Sequence, residues 1–224
     1  MPVRIEILVI QYLCLLFSLS IHEAAHAAMA NYWGDPTAKL MGRLTLNPVK
    51  HADIMGTVIL PIFAMATGFR FLFGWAKPVP FNPRNLRDRR RGPVFVALAG
   101  PVSNLLVLFS AVAALRMLSF APNFAALELF IMTLLYLIMI NAVLLLFNLI
   151  PLPPLDGHHV LEYFLPYETQ KTFEKIGPYS LFILFFLVFY LRILDRPMAM
   201  IFQGALMGAF YGTPLWESFA ANQG

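Results

Sequence analysis

The sequence predicts an all-α polytopic membrane protein with about five to six transmembrane helices, a short membrane-associated β hairpin and a candidate re-entrant segment. Two observations predict this class. Hydrophobic residues make up 59% of the 224 and charged residues 12%, against about 45–50% and about 25% in soluble globular domains. The apolar excess lies in long blocks, several of which reach the roughly 20 residues that a spanning helix needs. The net charge of +4 is modest, and its placement reports orientation and not a nucleic-acid partner. Cys14 is the single cysteine, which excludes an intrachain disulfide and a cysteine-rich metal site. The chain reads as one membrane domain over residues 1–224, with a catalytic core over about 5–160 and C-terminal helices over about 178–215.

The first apolar block, residues 5–32, is predicted helical and stops before the turn-forming Gly34-Asp35-Pro36. Glu6 and Gln11 lie inside it and no small-residue cleavage site follows, so it does not read as a cleavable signal peptide. Alternation from Lys39 to Leu46 predicts the hairpin. A second apolar block covers residues 54–76 and is interrupted by Pro61, Gly68 and Arg70. Pro78, Pro80 and Pro83 make the next stretch extended and non-helical. Arg84, Arg87, Arg89, Arg90 and Arg91 follow, and basic loops stay in the cytoplasm. A patch for lipid headgroups would put them on the same side. Helices are then predicted over residues 94–120, 124–150 and 178–194. A weaker block at 198–211 either spans or lies flat.

His22-Glu23-Ala24-Ala25-His26 places two imidazoles one helical turn apart, on one face, where both reach a single metal ion. Zinc suits two neutral imidazoles that leave room for a carboxylate and a water. Glu23 adjoins the pair as a general base. In a solvated helix the same five residues would be merely polar. Inside an apolar helix each polar group is costly, at about 2.5–3.5 kcal/mol for a charge on insertion scales, which favours a functional reading. A third protein ligand is expected, and His51, Asp53, Asp156, His158, His159 and Glu162 are the candidates. Asp156 lies in a Pro-rich loop ending an apolar helix, where irregular backbone is tolerated if it lines a cavity. A plain helix N-cap is its alternative role. His51 and Asp53 read as a polar pair sealing a loop, with a gate or a regulatory ligand as the alternative.

Three motifs together resemble the site-2 protease family: the HExxH of the first helix, Gly100-Pro101-x-x-Asn104, and the run from Asn148 through Pro151, Pro153 and Pro154 to Asp156-Gly157. The stretches from Gly42 to Pro48 and from Gly74 to Pro80 resemble its compact bacterial and archaeal branch. The resemblance implies an intramembrane zinc metalloprotease that cuts within or next to transmembrane segments. It implies one zinc ion on His22, His26 and Asp156, with Glu23 as base and Asn148, together with Asn104, near substrate or the oxyanion. Many members carry Asp-Gly-Gly where this chain has Asp156-Gly157-His158. Transmembrane protein substrates and the bilayer are the implied partners, in a multi-pass plasma-membrane setting. A zinc transporter is the competing reading, but half-helix pairs and internal repeats are not evident. A catalytically silent family member is the other.

Zinc would need His22, His26 and Asp156 at one depth. The first helix should then run from outside to inside, and residues 54–76 should enter and leave on the cytoplasmic side.

Overall fold

A computed structural model describes residues 5–67, 74–120, 126–175 and 177–214. Three of its helices are long and apolar enough to cross a membrane: α1 (Ile5–Tyr32), α5 (Gly92–Leu118) and α6 (Leu127–Asn148). At 1.5 Å per residue they run about 42, 40 and 33 Å, which exceeds a hydrocarbon core of about 30 Å. The three pack against one another. Small residues make the close approach possible: Ala24, Ala27 and Ala30 on α1 and Ala97, Ala99 and Gly100 on α5 are all buried. Val9, Leu13 and Phe17 on α1 and Leu106 and Phe109 on α5 stay exposed, an apolar belt of the kind that lipid covers.

α1 ends as its sequence demands. Gly34 adopts φ +104°, open to glycine and strained for other residues. The Asp35 N–H then reaches back to Ala30 O and the Gly34 N–H to Asn31 O, closing the helix in a Schellman motif. Two single-turn helices follow, α2 (Thr37–Leu40) and α3 (Pro48–His51). The expected hairpin is not formed: residues 39–40 end α2, a turn and bends fill 41–46, and no strand occurs among the described residues. Gly42 at φ +68° breaks the alternation. Arg43, which alternation would place on a strand face, is buried and donates to the carbonyls of Lys77 and Pro78.

The block from residue 54 begins with a π-helical stretch, Ile54–Ile59, and continues as α4 (Leu60–Ala66). Those 13 residues cover only about 20 Å. The chain comes back to its starting point. The Lys77 N–H donates to His51 O at 2.8 Å, and a Cβ on Gly56 would fall 2.5 Å from Trp75 O. Gly68 and Arg70 lie outside the described residues.

Residues 74–82 form neither helix nor strand and pass beside α1, where the Val79 N–H meets Glu23 and the Asn82 N–H meets Asp35. Buried Asp35 anchors this strap: its carboxylate accepts from the Asn82 N–H (2.6 Å), Asn85 Nδ2 (2.9 Å) and both the N–H and hydroxyl of Thr37. Burial works to raise the Asp35 pKa, but these four donors outweigh it and hold it below the usual carboxylate range. The Arg87 N–H donates to Trp33 O, and its guanidinium lies 5.7 Å from the Tyr32 ring centre. Arg90 sits in the same way over Tyr163 of α7 (Gly157–Phe164). The arginine-rich segment, the C-terminal end of α1 and α7 therefore share one end of the bundle.

Beyond α7 come α8 (Tyr167–Glu174), α9 (Ser180–Phe185) with a π turn Phe186–Tyr190, and α10 (Asp195–Phe210). α9 and its π turn measure about 16 Å and α10 about 24 Å, so neither is among the helices long enough to cross by themselves. α10 packs on α5 and α6 through Ala205 and Ala209, against Leu108, Leu115 and Ile138.

Candidate metal centre

His22, Glu23 and His26 are buried where α1 meets α5 and α6. His26 Nδ1 lies 2.7 Å from Val96 O. A carbonyl only accepts, so Nδ1 carries the proton and Nε2 carries a lone pair. His22 Nδ1 lies 2.6 Å from Asn104 Oδ1, an acceptor likewise, and its Nε2 is bare too. The two Nε2 atoms face each other at 3.0 Å.

Asp156 completes the group. It occupies the position before the first residue of α7, yet its side chain does not cap that helix. Instead Oδ2 lies 3.2 Å from His22 Nε2 and Oδ1 lies 3.3 Å from His26 Nε2, while Oδ2 is buried without a hydrogen-bond partner. Gly157 lets the loop close this tightly, since a Cβ there would fall 2.6 Å from both Leu149 O and Ile150 O.

Two lone pairs and a carboxylate at these distances repel unless positive charge sits among them. One proton bridges a single contact, whereas a cation bridges all three. Ligands about 2.0–2.1 Å from a tetrahedral ion lie about 3.3 Å from one another, close to the separations seen. The two imidazoles and one carboxylate therefore fit zinc.

α5 makes room for the group at Gly100. A Cβ there would fall 2.4 Å from His26 Nε2 and 2.5 Å from His22 Cε1. Glu23 points to the strap, where Oε2 accepts from the Val79 N–H at 3.0 Å.

The remaining sequence candidates lie elsewhere. His51 Nε2 bonds Thr45 O, and Asp53 caps the π-helical stretch through the N–H groups of Met55 and Gly56. His158, His159 and Glu162 form a separate half-buried group on α7. Burial, with His158 beside it, pushes the His159 pKa down. Asn148 turns its amide onto Leu144 O of its own helix, while Asn104 faces His22. Sequence reasoning missed Gly100 as the cradle, Val79 as a donor, and Asn141, whose Oδ1 accepts from Asn104 Nδ2. Gly100 and Val79 stood inside motifs quoted for the resemblance, and Asn141 carried its own signal, as an amide inside a continuous apolar block.

The profile of peptidase family M50 matches residues 117–191, which include Asp156. The chain is 40% identical to the Bacillus subtilis protein named "Putative zinc metalloprotease YwhC" over 181 residues, 78% of this chain and 77% of that one. It is 34% identical over 201 residues to the Mycobacterium tuberculosis (strain H37Rv) protein named "Putative zinc metalloprotease Rip2", covering 90% of this chain and 70% of the relative. No solved structure matches the chain significantly.

Proposed function

Because the chain belongs to peptidase family M50, the site-2 protease family, we propose that His22, His26 and Asp156 hold one zinc ion per chain and that Glu23 is the general base. The protein is an intramembrane zinc metalloprotease. The residue assignment rests on one observation: two bare imidazole nitrogens and a buried carboxylate oxygen converge within 3.0–3.3 Å beside Glu23.

Zinc bound there supplies Lewis acidity, making water nucleophilic near neutral pH and polarising the carbonyl under attack. Glu23 takes a proton from the attacking water and passes it to the leaving amine. The Val79 N–H engages one of its oxygens, and the other remains for the water. A helical substrate hides its scissile carbonyl in an internal hydrogen bond and must unwind before this chemistry begins.

Residues 5–160 supply the catalytic core, and α10 of the C-terminal helices buttresses α5 and α6 from outside. The substrates are membrane proteins cut in or beside their spans, and the setting is the plasma membrane of a bacterium or archaeon. The arginine-rich end faces the cytoplasm. Residues 54–76 re-enter on that side, as the hydrogen bond between Lys77 and His51 supports.

The test is cleavage of a panel of single-span proteins by purified wild type and Glu23→Gln. A chelator-sensitive product lost by about 10²–10⁴-fold in the variant, with zinc retained, is expected. Equal product from both enzymes would remove Glu23 from the mechanism. Zinc bound without cleavage in either would favour transport.

A further inference from the structure

For His22 to offer Nε2 to a metal, its Nδ1 must meet an acceptor. His26 obtains this from Val96 O, a carbonyl that cannot act otherwise. His22 obtains it from Asn104, whose amide carries both an acceptor and a donor. If Asn104 were turned end for end, its NH₂ would meet Nδ1 and force the proton onto Nε2. The metal-facing nitrogen would then be capped.

The turn is blocked by what lies behind Asn104. Its Nδ2 donates to Asn141 Oδ1 at 2.8 Å, and turning it would set oxygen against oxygen. Asn141 is fixed in turn, since its Nδ2 donates to Leu137 O (2.8 Å) and to Ser18 Oγ (2.8 Å). Leu137 O is a backbone carbonyl and only accepts. Ser18, Asn104 and Asn141 are fully buried, so water does not substitute for any link. We propose that Asn141 is a positioning residue for the metal centre: the fixed polarity of Leu137 O is relayed through Asn141 and Asn104 to select the Nδ1–H tautomer of His22. Ser18 holds the second hydrogen of the Asn141 amide. The relay links α6, α5 and α1, so the tautomer of a ligand on one helix is set by a carbonyl on another.

This rests on the metalloprotease reading above, and it differs from a plain interhelical bond. Polar bonds between membrane helices hold the bundle together, and their loss lowers stability without altering metal affinity in the folded protein. Partners that orient a metal-binding histidine raise affinity, and their removal typically costs 10–100-fold.

The experiment measures zinc affinity by chelator competition, in detergent-purified protein checked for monodispersity, for wild type, Asn141→Leu and Asn141→Asp. The leucine removes the acceptor for Asn104. A neutral aspartic acid preserves the relay, with its O–H donating to Leu137 O and its C=O accepting from Asn104. Expected is 10–100-fold weaker zinc for Asn141→Leu and recovery to within about threefold for Asn141→Asp. Equal affinity in all three, or equal loss in both variants, overturns the proposal. Should Asn141→Leu not fold, ¹⁵N-histidine NMR of metal-free wild type decides: His22 as the Nδ1–H tautomer supports the relay, and Nε2–H overturns it. Failure of wild type to bind zinc would instead strike the metal-ligand assignment, and the tautomer measurement would still judge the relay.

Discussion

The backbone N–H of Val79 donates to Glu23 Oε2 at 3.0 Å. Val79 lies between Pro78 and Pro80, neither of which has an N–H. The strap thus presents a single donor over three residues, and that donor meets the carboxylate assigned as base. Pro78 and Pro80 also restrict the backbone on either side, which keeps the donor in place.

Val79→Pro removes this donor in a stretch whose neighbours Pro78 and Pro80 already disfavour helical backbone. A hydrogen bond to a charged group contributes about 1.5–3 kcal/mol, so kcat should fall by roughly 10–100-fold. Zinc content should not change, because no metal-facing atom is touched. Steady-state kinetics alongside metal analysis checks both halves. Unchanged kcat would mean that Glu23 is oriented without the strap.

The strap itself is held by Asp35, which gives it a pH dependence. Folding lowers the Asp35 pKa, so its contribution is complete above the unfolded value of about 3.9 and is lost as pH falls through the lower folded one. Asp35→Asn should release the strap at neutral pH, because an amide NH₂ then confronts one of the donors now facing the carboxylate. Amide hydrogen exchange at residues 79–86 is the readout. Protection in the variant equal to wild type would show that the remaining contacts, from Arg43, His51, Glu23 and Trp33, suffice to hold the strap.

The arrangement of the candidate site's histidines was legible because their spacing is local. The i, i+4 spacing of His22 and His26 dictates a shared face whatever the tertiary structure. Choosing Asp156 as the third ligand needed the family resemblance, since spacing alone left six candidates open; the structure places its carboxylate 3.2–3.3 Å from the two histidines. The parts that escaped are contacts at long sequence separation. Val79 acts through its backbone, on a carboxylate 56 positions away, and no side-chain pattern reports that. Alternation from Lys39 to Leu46 looks like a strand, because alternation alone does not report which polar side chain is buried. The structure buries Arg43 against the strap carbonyls. The helices at residues 178–194 and 198–211 are present as α9 with its π turn and as α10, but apolar composition alone does not report whether such short helices cross.

Gly157 presents a different kind of constraint from a flexible side-chain contact. The atoms its Cβ would strike are the backbone oxygens of Leu149 and Ile150, both at 2.6 Å. No rotamer relieves that, so Gly157→Ala must move the loop that carries Asp156. Zinc affinity should drop at least tenfold, and the melting temperature should fall with it. An alanine variant with wild-type affinity would show that the loop tolerates displacement.

Gly100→Ala separates the metal site from the fold. Alanine favours an α-helix over glycine by about 1 kcal/mol, so α5 itself should be no less stable. The added methyl, however, would lie 2.4 Å from His26 Nε2 and 2.5 Å from His22 Cε1. Those atoms are the ends of side chains, and the imidazoles can yield by rotating, but rotation turns both Nε2 atoms away from Asp156. The expected variant is therefore folded, with wild-type helix content by circular dichroism, and binds zinc at least tenfold more weakly, with cleavage lost in parallel. Retained zinc with retained cleavage would mean that the imidazoles occupy positions other than those facing Gly100 when the metal is bound.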